Sequence, residues 1–178
     1  MNYYCTNELN SKLSGLNATV NFSAFYINIR SLNANHSKLI DLLDCLSIKY
    51  DCIILSEIWK CNLNFYSNLL KGYNYYYVAP AAYKAGGVCI YVKQEFVANI
   101  LFSSTTLNNA LLNSLFECLV IEVTINTIKH IIIVTYRHPN TSISDFTHNY
   151  FPLVNKFLSH KNCWLFGDYN INLQKIFC

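Results

Sequence analysis

The alternation of apolar runs and polar breaks along the chain predicts a series of strands interrupted by two helices. Residues 22–29 (FSAFYINI) and 51–57 (DCIILSE) are apolar runs that predict strands, the second buried on both faces. Between them, leucines at helical spacing predict a helix over residues 37–50, after a turn-like SLNAN stretch. A strand, a helix and a strand within about 35 residues are typical of a right-handed crossover unit.

The middle of the chain has the pattern of a β-rich region. Successive strands, mostly joined by hairpins, are predicted for the runs YNYYYVA, GGVCIYVK, FVANILF, LFECLVIEV and KHIIIVTY. A second helix is predicted over residues 142–159, where Pro152 is expected to kink or split it. The last strand is residues 162–168, and residues 1–20 are interpreted as a polar lead-in. This order predicts an α/β sandwich with helices packed outside two sheets.

Composition limits the classes to which the protein can belong. The chain has 178 residues, of which 53% are hydrophobic and 13% charged, so a disordered chain is excluded. The net charge of +3 permits a polyanionic partner without establishing one. We expect no membrane segment, because no apolar run reaches about 18 residues. The eight cysteines lack zinc spacing and are predicted to be reduced thiols of an intracellular protein, four of them in strand-like runs: Cys52, Cys89, Cys118 and Cys163.

Polar residues stand where the apolar strand runs end, and these are the candidate chemical groups. They are Asn28, Glu57, Tyr136, Arg137, Asp168 and Asn170. A sheet can aim such side chains from distant parts of the chain into one cleft. Together, two carboxylates, two amides, a phenol and a guanidinium suit phosphoester chemistry, with carboxylate oxygen available to Mg²⁺. Taken singly, each residue also fits a solvated strand end, a turn or packing, and His138 is expected to be exposed.

Five sequence strings carry a resemblance to a known family. They are Asn28-Ile-Arg-Ser-Leu32, Leu55-Ser-Glu57-Ile-Trp59, Gly86-Gly-Val-Cys-Ile-Tyr-Val92, Tyr136-Arg-His-Pro-Asn140 and Phe166-Gly-Asp168-Tyr-Asn170-Ile-Asn172. In this order they resemble the endonuclease/exonuclease/phosphatase superfamily and, within it, the endonuclease domain of non-LTR retrotransposons. The resemblance implies a four-layer α/β/β/α sandwich of the DNase I-like kind over residues 21–178. It also implies that this domain is incomplete at its C-terminus, because no S-D-H-like motif follows Asp168.

The resemblance also implies a role for each candidate residue. Glu57 would be the ligand of Mg²⁺, with Mn²⁺ as an alternative ion. The catalytic residues would be Asn28, Tyr136, Asp168 and Asn170, and the substrate-binding residues would be Arg30 and Arg137. Arg30 stands where some relatives carry an acidic metal ligand, so the metal site is expected to depend mainly on Glu57.

The function implied by the resemblance is the cutting of one DNA strand to leave a 3′-hydroxyl. In retrotransposons this hydroxyl primes reverse transcription in the nucleus, and a reverse transcriptase domain follows in the same polyprotein. We expect weak or no activity from this chain, because the histidine motif is missing. Two alternatives stay open: a phosphatase or RNA deadenylase of the same superfamily, and a non-catalytic remnant that binds nucleic acid.

Overall fold

The structure, a computed structural model, describes residues 6–14, 22–80, 84–106 and 114–171. The strands are β1 Ala24–Asn28, β2 Cys52–Ser56, β3 Tyr73–Val78, β4 Val88–Lys93, β5 Val97–Ser103, β6 Phe116–Ile125, β7 Ile128–Arg137 and β8 Cys163–Asp168. The α-helices are α1 Thr6–Ser14, α2 Leu32–Cys45 and α3 Ile143–Asn155. Short 3₁₀ turns cover Leu63–Asn68 and Ser104–Thr106.

The strands form two four-stranded sheets, with the orders β1-β2-β4-β3 and β5-β6-β7-β8. In each sheet one pair is parallel: β1 with β2 in the first, and β7 with β8 in the second. The other pairs are antiparallel. A parallel pair needs a long crossover connection, and α2 and α3 occupy these two connections.

Three apolar clusters arrange these elements in four layers. The cluster between the sheets joins residues such as Ile54 and Ile90 of the first sheet to Leu119 and Val134 of the second. A second cluster packs α2 on the outer face of the first sheet, and a third packs α3 on the outer face of the second. This confirms the predicted DNase I-like α/β/β/α sandwich. Because both faces of each sheet are covered, the central strands contain long apolar runs, such as Cys52–Leu55 in β2 and Ile131–Val134 in β7.

The helix boundaries differ from those predicted. Helix α2 begins at Leu32, not at residue 37, because the Ser31 side chain accepts a hydrogen bond from the Ala34 amide and caps the first turn. The stretch interpreted as a turn is therefore helical. Helix α3 continues past Pro152 to Asn155 and is not split. The carbonyl that loses its partner at Pro152 belongs to His148, and both residues are exposed, so water can satisfy it.

The region predicted as a polar lead-in contains helix α1. The Asn10 side chain donates to the Cys45 carbonyl and accepts from the Ser47 amide, both at 2.9 Å, and Leu9 packs on the second cluster. These contacts attach α1 to the end of α2. Residues 1–5 and 15–21, and the C-terminal residues from 172 onward, lie outside the described residues. No helix in the described ranges is both long and apolar enough to span a membrane.

The four cysteines in strand-like runs differ in burial. Cys52, Cys89 and Cys118 are fully buried, whereas Cys163 on edge strand β8 is only partly buried. Burial raises the pKa of the Cys52 and Cys118 thiols to about 12. These thiols therefore remain protonated at neutral pH and act as small apolar side chains.

Candidate active site

The ends of four strands meet at one edge of the sandwich and bring the candidate residues together. Asn28 ends β1, Glu57 directly follows β2, Tyr136 lies at the end of β7, and Asp168 ends β8. The parallel pairs β1–β2 and β7–β8 explain why these ends share an edge within each sheet. A hydrogen bond from Asn28 to Asp168 then connects the two sheets.

The side-chain amide of Asn28 joins the two candidate carboxylates. Its Nδ2 donates to Glu57 Oε1 at 2.9 Å and to Asp168 Oδ2 at 2.7 Å. Its Oδ1 accepts from the Arg30 backbone amide at 3.1 Å, which fixes the orientation of the group. Two carboxylates that share one donor lie close enough to repel each other, and such a pair favours a bound cation.

The remaining oxygen of each carboxylate is also held in place. Glu57 Oε2 accepts from the Trp59 indole N–H at 3.3 Å, and Asp168 Oδ1 accepts from the Asn170 backbone amide at 3.1 Å. An ionised carboxylate has about four lone-pair sites, so each group keeps acceptor capacity beyond these bonds. Both carboxylates are half-buried and reach solvent. They are therefore oriented by the protein and still able to bind a ligand.

The backbone around the site is unusual. Seven non-glycine residues in the described part of the chain have positive φ, and five of them flank these strand ends. They are Arg30, Ser31, Glu57, Trp59 and Asn170, with φ between 47° and 88°. Such conformations are uncommon for residues with a side chain, and they concentrate where function demands a particular geometry.

Tyr136 lies beside the carboxylates with its ring buried. Burial first, and then the nearby charges of Glu57, Asp168 and Glu117, raise the pKa of its hydroxyl to about 12, while a hydrogen bond with Asn170 opposes the shift. The phenol is therefore protonated at neutral pH. It can donate a hydrogen bond to an anionic group placed between the two sheets.

No protein-family model and no curated protein matches the sequence. Solved structures do match. They include a Bacteroides thetaiotaomicron protein of the endonuclease/exonuclease/phosphatase family, at 13% identity and a TM-score of 0.64. They also include D. rerio TDP2 complexed with single-strand DNA product, at 14% identity and a TM-score of 0.61. A third is the endonuclease domain of TRAS1, a telomere-specific non-LTR retrotransposon, at 12% identity and a TM-score of 0.60.

The chain has the endonuclease/exonuclease/phosphatase fold. The three alignments cover 86%, 87% and 86% of this chain and 63%, 63% and 61% of the respective neighbours. The chain thus spans less than two thirds of the length of these three solved structures. At such low identity the match establishes the architecture, and the chemistry has to be argued from the site itself.

On this endonuclease/exonuclease/phosphatase fold, the two arginines predicted to bind substrate occupy different environments. Arg30 is exposed next to Asn28, so its substrate contact stays a prediction. Arg137 is buried, and its guanidinium donates to the backbone carbonyls of Tyr169 at 3.3 Å, of Asn170 at 3.0 Å and of Thr141. These bonds hold the segments after β7 and after β8 in place, and the substrate contact predicted for Arg137 stays a prediction.

The exposure predicted for His138 is wrong. His138 is buried, and its Nε2 lies 3.0 Å from Oε1 of the equally buried Glu117. The Tyr136 ring meets the His138 ring edge-on at 5.4 Å, and Glu117 Oε2 accepts from the Gly87 amide at 3.4 Å. The Glu117–His138 pair therefore packs against Tyr136 and helps to fix the position of its ring. Glu117, a charged residue inside the apolar run LFECLVIEV, was the sequence signal that could have revealed this buried pair.

Tyr26 is a further site residue that the sequence reasoning missed. Its hydroxyl lies 2.9 Å from Ser56 Oγ, and its side chain lines a cavity together with Asp168 and Tyr169. Burial raises its pKa to about 12, with Asp168, Tyr169 and Glu57 adding to the effect and the Ser56 hydrogen bond opposing it. Because Tyr26 lies two residues before Asn28 on the same strand face, period-2 alternation could have identified it.

The donor set fits Mg²⁺ better than zinc. No group of three or more histidine, cysteine, aspartate or glutamate side chains suited to a metal occurs among the described residues. Zinc sites need three or four such ligands, whereas Mg²⁺ keeps several waters and uses one or two carboxylates. Glu57 and Asp168, joined by Asn28, supply that smaller set.

Proposed function

We propose that this chain hydrolyses phosphodiester bonds in DNA, with Mg²⁺ held by Glu57 and supported by Asp168. The observation that carries the proposal is the Asn28 amide, which holds the two carboxylates together at the ends of strands from different sheets. Mn²⁺ can replace Mg²⁺ in such an oxygen-ligand site.

Each residue has a chemical task in this reaction. The bound ion supplies neutralisation of charge on the phosphate oxygens. The Asp168 carboxylate accepts a proton from the attacking water, and the Asn170 side chain orients that water. The water oxygen forms a bond to phosphorus while the bond from phosphorus to the 3′ oxygen breaks, and the leaving oxygen takes a proton from solvent. Tyr136, protonated at neutral pH, donates a hydrogen bond to a non-bridging phosphate oxygen.

DNA is the proposed substrate on two grounds. The TDP2 neighbour was solved with a single-strand DNA product, and the TRAS1 neighbour is a retrotransposon endonuclease domain. The net charge of +3 is compatible with a phosphate-rich ligand. The strings Asn28–Leu32 and Tyr136–Asn140 favour the retrotransposon branch. We therefore propose nicking in the nucleus that leaves a 3′-hydroxyl to prime reverse transcription by a transcriptase domain of the same polyprotein.

Cleavage of supercoiled plasmid by the purified chain tests the proposal, with Mg²⁺, with Mn²⁺ and with EDTA. The expected result is slow, metal-dependent conversion to the nicked circle, whose ends a DNA polymerase extends without prior treatment. An adenylate RNA and a DNA with a 3′-phosphate are assayed in parallel. Activity on the adenylate RNA without plasmid nicking would reassign the chain to the deadenylase alternative. Activity on the 3′-phosphate DNA without plasmid nicking would reassign it to the phosphatase alternative. A folded chain without activity on any substrate would leave the non-catalytic alternative.

A further inference from the structure

Two loop segments continue the β2–β4 pairing beyond the strand ends and form a rim beside Glu57. The backbone amide of Ile58 donates to the Gly87 carbonyl at 3.4 Å, that of Trp59 to Gly86 at 2.9 Å, and that of Lys60 to Lys84 at 2.8 Å. The rim, residues 58–60 and 84–87, is therefore a backbone-bonded extension of the sheet. The backbone from which these side chains project therefore has a fixed position beside Glu57.

The rim presents an aromatic ring and two cations. Trp59 is half-buried, and Lys84 Nζ lies 5.9 Å from the centroid of its ring. Lys60 and Lys84 are both exposed. Trp59 has a φ of 61°, a backbone conformation that is uncommon in a residue with a side chain and that concentrates where function demands a particular geometry.

The negative charge of the site indicates what the cations of the rim do. Glu57 and Asp168 lie together at the point that a phosphate must approach, and their charges repel a polyanion. Cations on the rim offset this repulsion and attract the nucleic-acid backbone. The indole adds a stacking surface, which single-stranded nucleic-acid sites use for bases of any sequence.

We propose that the rim binds the nucleotide next to the scissile phosphate, a role that rests on the proposed function. The Lys84 ammonium pairs with a backbone phosphate, and the Trp59 ring contacts the base or sugar of the same nucleotide. Trp59 has a second task, because its indole N–H also holds Glu57 Oε2 at 3.3 Å. The rim thus couples substrate binding to the orientation of the proposed metal ligand.

The two side chains are expected to affect different kinetic parameters. Lys84→Gln removes a charge that contacts substrate in the ground state and in the transition state, so it should raise KM several-fold with little change in kcat. Trp59→Phe retains an aromatic ring and removes the N–H that holds Glu57, so it should lower kcat. Equal KM and kcat for wild-type chain and Lys84→Gln would contradict the role of Lys84.

DNA binding in EDTA tests the inference without requiring cleavage. Fluorescence anisotropy of a labelled DNA is measured between about 50 and 200 mM salt for the wild-type chain, Lys84→Gln and Lys49→Gln. Lys49 is an exposed lysine before β2, at the opposite end of the sheet, so Lys49→Gln is a matched control for charge. Loss of one phosphate contact should reduce the slope of log K against log salt by about 1 in Lys84→Gln only.

The outcomes separate this inference from the proposed function. Equal slopes for Lys84→Gln and Lys49→Gln, or no DNA binding by the wild-type chain, would overturn the rim as a binding site. A reduced slope in Lys84→Gln alone would support it even if the plasmid assay showed no cleavage. In that case the proposed catalytic function would be refuted and the proposed nucleic-acid-binding site would be supported.

Discussion

Gly167 lies in β8 directly before Asp168, where β8 approaches β7 too closely for a side chain. A Cβ at Gly167 would lie 2.3 Å from the Thr135 carbonyl oxygen, a backbone atom that cannot rotate away. A carbon normally lies about 3.3–3.6 Å from such an oxygen. Gly167→Ala therefore requires the strands to separate by about 1 Å, and overpacking of this kind costs about 1–3 kcal/mol.

The same displacement would reach the proposed catalytic group. Tyr136 and Asp168 are partners in the β7–β8 register, and Asp168 bonds Asn28 at 2.7 Å. A shift of about 1 Å at a catalytic residue costs about 10²-fold in rate. We therefore expect Gly167→Ala to remain folded and to nick DNA about 10²-fold more slowly than the wild-type chain.

Urea unfolding and single-turnover plasmid nicking measure these two effects. Gly72→Ala is the control: Gly72 has a φ of +85° and nothing within 4 Å of an added Cβ, and it precedes β3 at the end of the sheet away from the site. That variant should lose about 1–2 kcal/mol through backbone strain and keep its nicking rate. A folded Gly167→Ala that nicks at the wild-type rate would refute the reasoning.

Three further variants or conditions test other parts of the site and core. Asn28→Ala removes the donor shared by both carboxylates and should slow single-turnover nicking by about 10²-fold, whereas an unchanged rate would show that the bridge is dispensable. Glu117→Ala leaves the buried His138 and the Gly87 amide without their carboxylate partner and should lower the free energy of unfolding by about 1–3 kcal/mol in urea titrations; a loss below about 1 kcal/mol would contradict this. Burial raises the pKa of Tyr136 and Cys52 to about 12, from 10.0 and 9.0, so the folded chain keeps protons that the unfolded chain releases. The urea midpoint should therefore be insensitive to these groups below about pH 9 and fall between about pH 9 and 12, and a constant midpoint up to pH 12 would be inconsistent with their burial.

The strand pattern could be predicted because its physical cause is local to the sequence. Strands β2, β6 and β7 are buried on both faces over most of their length. They therefore contain apolar runs, Ile53–Leu55, Cys118–Ile121 and Ile131–Val134, that are visible without knowledge of the fold. The predicted start of α2, residue 37, lies five residues after the observed start at Leu32, and the reason is also local. Ser31 both resembles a turn residue and caps a helix, and only the bond to the Ala34 amide distinguishes these roles.

The candidate site could be predicted in part. Asn28, Glu57 and Asp168 interrupt apolar runs at their ends, and the structure brings these three side chains into direct contact. The environments of Arg137 and His138 could not be inferred in this way. Arg137 ends β7 and His138 follows it. The burial of Arg137 depends on contacts with the loop after β8, and that of His138 on its contact with Glu117 of β6. Glu117 lies opposite Tyr136 only because of the β6–β7 register, which the sequence does not display.

The most direct measurement compares the Mg²⁺-dependent plasmid nicking rates of Glu57→Gln, Asp168→Asn and the wild-type chain. Both variants keep the shape of the side chain and remove its charge, and circular dichroism verifies that each is folded. If the two carboxylates form one catalytic site, each variant loses nearly all metal-dependent nicking while EDTA abolishes that of the wild-type chain. Wild-type rates in both folded variants would contradict the assignment of the active site to this strand-end cluster.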